Sequence, residues 1–130
     1  MKPEELMEYA KKAMKNAYAP YSDFRVGAAL LCSDGSVYTG CNVENAAFSP
    51  TMCAERVALG KAVSEGKRAF TALAVCGGKG GVLTSLCTPC GVCRQVLAEF
   101  CPKEMPVYVT DGKTVMAYTL AQLLPFGFSL

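Results

Sequence analysis

The chain has 130 residues, 52% of them hydrophobic and 18% charged, with a net charge of +2 and no histidine. That length suits one domain, residues 1–130, with enough apolar material for a core that needs no cross-links. There is no dense run of Lys or Arg and no apolar stretch near the ~20 residues that span a bilayer, so the composition offers no footprint for nucleic acid or membrane.

Residues 3–18 set Leu6, Tyr9, Ala10, Ala13, Met14 and Ala17 at helical spacing, with Glu4 and Glu5 in the first turn. This predicts a helix that stops at Ala19-Pro20, because proline biases its predecessor away from helical geometry. Apolar or β-branched runs at 24–32 and 37–43, joined by Ser33-Asp34-Gly35-Ser36, predict a hairpin. A loop over 45–52 leads into a helix that begins around Cys53 and ends near Gly66. Residues 70–76 predict a buried strand. The following Gly77-Gly78-Lys79-Gly80-Gly81 predicts a flexible surface connection, since its spacing fits neither phosphate-cradling fingerprint. A second helix runs from the Cys90–Cys93 region to about Cys101. Strands at 106–110 and 114–118 and a helical turn at 119–124, before Pro125, complete the pattern. Strands alternating with helices predict a three-layer α/β/α domain around a mixed, roughly five-stranded sheet. The mean hydropathy of +0.24 is high for so small a chain and predicts buried contacts between copies.

Eight cysteines raise the question of disulfides. Cys32, Cys41, Cys76 and Cys101 lie in or beside apolar segments and read as small buried hydrophobes, while Cys87 sits near the second motif but off its spacing. With no signal-peptide core at Lys2-Pro3-Glu4-Glu5, a reducing, cytoplasmic compartment is expected rather than a secreted cross-linked scaffold.

The remaining three, Cys53 and the pair Cys90-x-x-Cys93, stand where loops turn into helices. After Glu55 the residues Val57, Ala58, Ala62 and Val63 recur at helical spacing, and Val96, Leu97 and Phe100 do so after Cys93. Pro89 suits a helix entrance, where its missing N–H is not needed. Two helix N-termini would gather three sulfurs and one carboxylate, and the positive dipole ends favour thiolate. A redox Cys-x-x-Cys pair would leave Cys53 without a part, and a structural zinc site would want a fourth protein ligand. Three ligands and an open position are the pattern of catalytic zinc, one Zn2+ per chain. Three thiolates leave that zinc with a net negative charge. Arg56 and Arg94 are placed to donate to the sulfurs and restore its Lewis acidity. Glu55, leaning back toward the helix start, is the available proton carrier in a chain without histidine. An ordinary first-turn glutamate is the competing reading.

Cys53-Ala54-Glu55-Arg56 and Thr88-Pro89-Cys90-Gly91-Val92-Cys93-Arg94-Gln95, with nearly the whole length of the chain, resemble the small, homotetrameric class of cytidine deaminases. The resemblance implies zinc on Cys53, Cys90 and Cys93, and Arg56 compensating the thiolate charge. It also implies Glu55 carrying protons between zinc-activated water, pyrimidine N3 and the departing amine, with uridine or deoxyuridine and ammonia as products of pyrimidine salvage. Ala19-Pro20-Tyr21-Ser22 with Phe24-Arg25-Val26-Gly27-Ala28-Ala29, and Gly40-Cys41-Asn42-Val43-Glu44-Asn45-Ala46, are similar to the family's nucleoside-binding segments. By that similarity Phe24 lies beside the pyrimidine and Asn42 and Glu44 hold sugar hydroxyls, while the backbone at Ala54 and Cys90 contacts the base. On residue type alone, Phe24 reads as a core aromatic and Asn42 and Glu44 as an exposed strand end. Leu123-Leu124-Pro125-x-x-Phe128 resembles the segment that lends a phenylalanine to a neighbouring subunit's site; Phe128 matches by offset, and Phe126 competes with it. Phe48 stands where many relatives carry tyrosine. The same zinc motif serves deaminases of other aminated heterocycles such as blasticidin, and a non-catalytic zinc-containing binding protein is the alternative of a different class. The small net charge disfavours editing of nucleic acid.

Overall fold

The computed structural model describes residues Met1–Leu130. Helix α1, Pro3–Met14, opens with Pro3 in its first turn and the Lys2 amide bonded to Glu5 Oε1 at 3.1 Å. Acids in its first turn and lysines in its last complement the helix dipole, and Leu6, Met7, Ala10 and Met14 form its buried stripe. The helix ends one turn before the predicted boundary. Tyr18 donates its amide to Asn42 O and accepts from Glu44 N, both at 2.9 Å, which makes a bridge with Val43. A backbone committed to that bridge cannot also serve helical bonding.

Strands β1, Phe24–Cys32, and β2, Val37–Cys41, form the hairpin, with Asp34 Oδ1 accepting from the Ser36 amide at 2.9 Å to fix the turn. The predicted strand to residue 43 stops at Cys41, and beyond it only Val43 still pairs, with Tyr18 and Met52. Helix α2, Ala54–Ser64, and helix α3, Gly91–Phe100, start at the two cysteine motifs. Between them strand β3 runs Phe70–Lys79, three residues past its predicted end. Gly77 and Gly78 are not a loose connection. They are buried and paired with Val26 and Arg25 of β1, where no side chain would fit. Strands β4, Pro106–Thr110, and β5, Val115–Thr119, lead into the short helix α4, Leu120–Leu123.

The sheet order is β2-β1-β3-β4-β5, antiparallel except where β3 and β4 run parallel, a connection made through α3. Alternate residues of the central strands bury on opposite faces. Ala29, Ala72, Ala74 and Cys76 pack under α1. Ala28, Leu30, Leu73, Val75, Val107 and Val109 pack under α2, α3 and α4. The result is the expected three-layer α/β/α arrangement on a mixed five-stranded sheet. Because α2 and α3 share one face, their N-termini come together.

Candidate active site and metal centre

Cys53 and Cys90 are the N-cap residues of α2 and α3, each in extended backbone, and neither side chain caps its own helix. Their carbonyls accept the first helical bonds, from Val57 at 3.1 Å and Arg94 at 3.0 Å, which fixes the two backbones and leaves both sulfurs free to turn inward. Cys53 Sγ and Cys90 Sγ lie 3.8 Å apart, and Cys90 Sγ and Cys93 Sγ 3.5 Å. All three sulfurs fall within 4.8 Å of one another. A tetrahedral zinc with Zn–S bonds of about 2.3 Å requires sulfurs about 3.8 Å apart. The donor set fits that ion, and the three residues are placed to hold one.

The charges agree with the geometry. Arg56, one turn into α2, donates from Nη2 to Cys53 Sγ at 3.5 Å and to Thr51 O at 3.2 Å. The Cys53 thiol is lowered to about 5, led by the hydrogen bond from Cys93 and helped by Arg56 and Cys90, against the upward pull of burial. Cys93 moves strongly the other way, as the donor to Cys53 and by burial. The arrangement favours thiolate at Cys53, beside a guanidinium, and metal binding to thiols is coupled to release of their protons. Glu55, only 4% exposed, is pushed up to about 7, first by burial and then by the negative charge at Cys53. A dication beside it would pull that value down.

Arg94 departs from expectation. Its Nε donates to Pro89 O at 2.6 Å, Nη1 to Leu123 O at 2.7 Å and Nη2 to Thr88 Oγ1 at 3.2 Å, and none of them to sulfur. One residue after Cys93 it lies about 100° around the helix, so it faces the α4 segment and ties that segment to the Thr88-Pro89-Cys90 entrance.

Asn42 is buried, accepting the Val26 amide on Oδ1 at 2.9 Å and donating Nδ2 to Phe24 O at 2.8 Å. Glu44 is exposed. Its Oε1 accepts the Tyr21 and Ser22 amides at 3.0 and 3.2 Å, Oε2 accepts the Ser22 hydroxyl, and these bonds, the hydroxyl first, lower its pKa. Tyr21, Ser22, Glu44, Phe48 and Thr51 line a cleft of about 440 Å3. Thr51 joins this cleft to the sulfurs, since its carbonyl receives the same Arg56 Nη2 that reaches Cys53. Phe24 is half exposed, and Ala54, first residue of α2, is fully buried. Phe48, at φ +63°, is largely exposed and meets the Tyr21 ring edge-on at 6.4 Å. The parts played by Ser22, Thr51 and Thr88 were not singled out in the sequence: Ser22 acts through a bond to Glu44, 22 residues on, and Thr51 and Thr88 act by accepting from Arg56 and Arg94, whose direction only the folded chain sets. Phe128 lines a groove of about 220 Å3 with Ala98, Leu120, Leu124 and Phe126, none of the three sulfurs among its lining, and its carbonyl accepts Gln95 Nε2 at 3.2 Å.

Residues 1–109 match the family described as the cytidine and deoxycytidylate deaminase zinc-binding region. The chain is 54% identical to a cytidine deaminase of Sporosarcina psychrophila, over 99% of this chain and 93% of that one. It is 46% identical to a cytidine deaminase of Halalkalibacterium halodurans, over 95% and 92%. The crystal structure of cytidine deaminase from Burkholderia pseudomallei superposes with a TM-score of 0.91 at 44% identity, covering 98% of this chain and all of that one. That from Mycobacterium tuberculosis superposes at 0.85 and 40% identity, covering 100% and 99%. With the three sulfurs at zinc spacing and these matches across its length, the chain belongs to the zinc-dependent cytidine and deoxycytidylate deaminase family.

Proposed function

We propose that this chain, as one deaminase domain over residues 1–130, converts cytidine and deoxycytidine with water to uridine and deoxyuridine, releasing ammonia in pyrimidine salvage. The observation that carries the reading is a buried carboxyl, Glu55, two residues from Cys53 in a cluster of three sulfurs at zinc spacing. Cys53, Cys90 and Cys93 would hold a zinc ion, which would supply the Lewis acidity that makes water a nucleophile near neutral pH. Glu55 takes the proton of the attacking water and passes it to pyrimidine N3 as the oxygen adds at C4. It then carries a second proton to the leaving amine, so that water and substrate together account for every atom of the products. Arg56 offsets the thiolate charge through its bond to Cys53.

Phe24 would lie against the pyrimidine and the backbone at Ala54 and Cys90 would meet its polar edge. Asn42 and Glu44 would take the sugar hydroxyls, Asn42 with the donor and acceptor capacity left over from its two backbone bonds. The chain would work as a cytoplasmic homotetramer whose sites are shared, with Phe128 or Phe126 stacking on a neighbour's base. What supports this is that both rings are largely solvent-exposed in the single chain, as are Phe48 and Val92 elsewhere on its surface. No helix is long and apolar enough to cross a membrane. Loss of ultraviolet absorbance on adding cytidine, abolished by a zinc chelator and restored by zinc, tests the activity. Stoichiometric metal with no ammonia released from cytidine would overturn it.

A further inference from the structure

The run Gly77-Gly78-Lys79-Gly80-Gly81 has no part in the chemistry above, yet it is tightly built. Its first three residues extend β3 alongside Arg25 and Phe24 of β1. A Cβ on Gly78 would collide with the carbonyl of Val82, and Gly80 and Gly81 have φ of +61° and +81°. The chain folds back on itself directly after Lys79, a conformation that glycine adopts without strain at these positions. The return holds Lys79 at the tip of the strand, over the loop that leads into β1. Lys79 Nζ donates to Ser22 O at 3.0 Å, and the Gly80 amide donates to Asp23 O at 2.7 Å.

Those two carbonyls bracket a sharp corner, where Asp23 adopts φ +56°. On the other side of the same corner, the Ser22 hydroxyl accepts the Phe24 amide at 3.0 Å and donates to Glu44, whose second oxygen takes the Tyr21 and Ser22 amides. The loop is thus gripped from two directions, by Glu44 beyond the end of β2 and by the tip of β3. We propose that Lys79 is a positioning residue for nucleoside binding, with the glycine return serving to present its ammonium to the Ser22 carbonyl and so hold Ser22, Glu44 and Phe24 in register. This rests on the proposed deaminase function and adds to it a residue that touches no substrate. Without the ammonium, the Ser22 carbonyl is free to turn to solvent and the shared corner loosens, while the sulfurs and Glu55 are left as they are.

The test compares the wild-type protein with Lys79→Met, which keeps most of the aliphatic stem, and Lys79→Arg, which keeps a donor. Lys79→Met should raise the KM for cytidine roughly threefold to tenfold, the worth of one charge-assisted hydrogen bond at a partly solvated site, with kcat and zinc content unchanged. Lys79→Arg should restore KM. Amide hydrogen exchange at Tyr21, Ser22 and Phe24 should quicken in Lys79→Met and recover in Lys79→Arg. An unchanged KM in Lys79→Met, or a fall in kcat matching any rise in KM, overturns the proposal. If wild-type protein leaves cytidine intact, the proposed function fails on its own account. The exchange measurement then still decides whether Lys79 holds the loop, and unchanged protection in Lys79→Met refutes it.

Discussion

Glu55 sits under opposing demands. A proton carrier works best with a pKa near the operating pH; burial at the start of α2, helped by the negative charge at Cys53, brings this carboxyl up to about 7 in the metal-free chain, and a dication beside it would draw it back. Replacing it by Gln keeps shape and burial but removes the titratable carboxyl. Glu55→Gln should lower turnover by about 10²–10⁴-fold, with zinc content unchanged by metal analysis. The same substitution has a signature in stability once zinc is stripped. The folded carboxyl titrates near 7 and the unfolded one near 4.5, so between those values the folded chain holds a proton that the unfolded chain has lost. Stability therefore falls as pH rises through that window. Relative to Glu55→Gln, the stripped wild-type protein should lose about 3 kcal/mol between pH 4.5 and 7 in denaturant melts. Parallel curves for the two proteins would show that Glu55 titrates normally.

Among the elements, α2 and α3 matter most, because each has a cysteine as its N-cap and α3 adds Cys93 in its first turn. What sets α2 at the right depth is Gly40 on β2. A Cβ there would stand 2.5 Å from Ala54 O and 2.6 Å from Ala58 N, against the backbone of the helix itself. The helix can approach the sheet that closely only because the strand presents no side chain. Gly40→Ala must push the first turn of α2 outward, carrying Cys53 and Glu55 away from Cys90 and Cys93. Overpacking of this kind costs about 1–3 kcal/mol. The variant should melt lower and release zinc to a competing chelator faster than wild type. If it melts lower with zinc release unchanged, the spacing of the sulfurs does not depend on this contact.

For the whole molecule, the expected tetramer and the identity of the ring that enters a neighbour's site are open to one set of measurements. Sedimentation should give four times the 13.8-kDa chain mass. Of Phe126→Ala and Phe128→Ala, the one that removes the stacking ring should weaken cytidine binding by about 1–3 kcal/mol, read in KM, while zinc is retained. Phe128, by its offset from Pro125, is the expected one. A monomeric mass with neither variant altered would remove the shared site. The sequence by itself determined the order and type of the elements and the three cysteines that come together, and it named Arg56 and Glu55 as their neighbours, because helical and strand periodicity and ligand spacing are local properties of the chain. Where it was misread, a distant partner decided the outcome. Tyr18 left its helix to bridge Val43, Gly77 and Gly78 joined β1, and Arg94 turned from sulfur to the carbonyls of Pro89 and Leu123. Only the tertiary structure sets which unpaired backbone groups come within hydrogen-bonding distance, and a buried carbonyl or amide takes whichever partner packing brings to it.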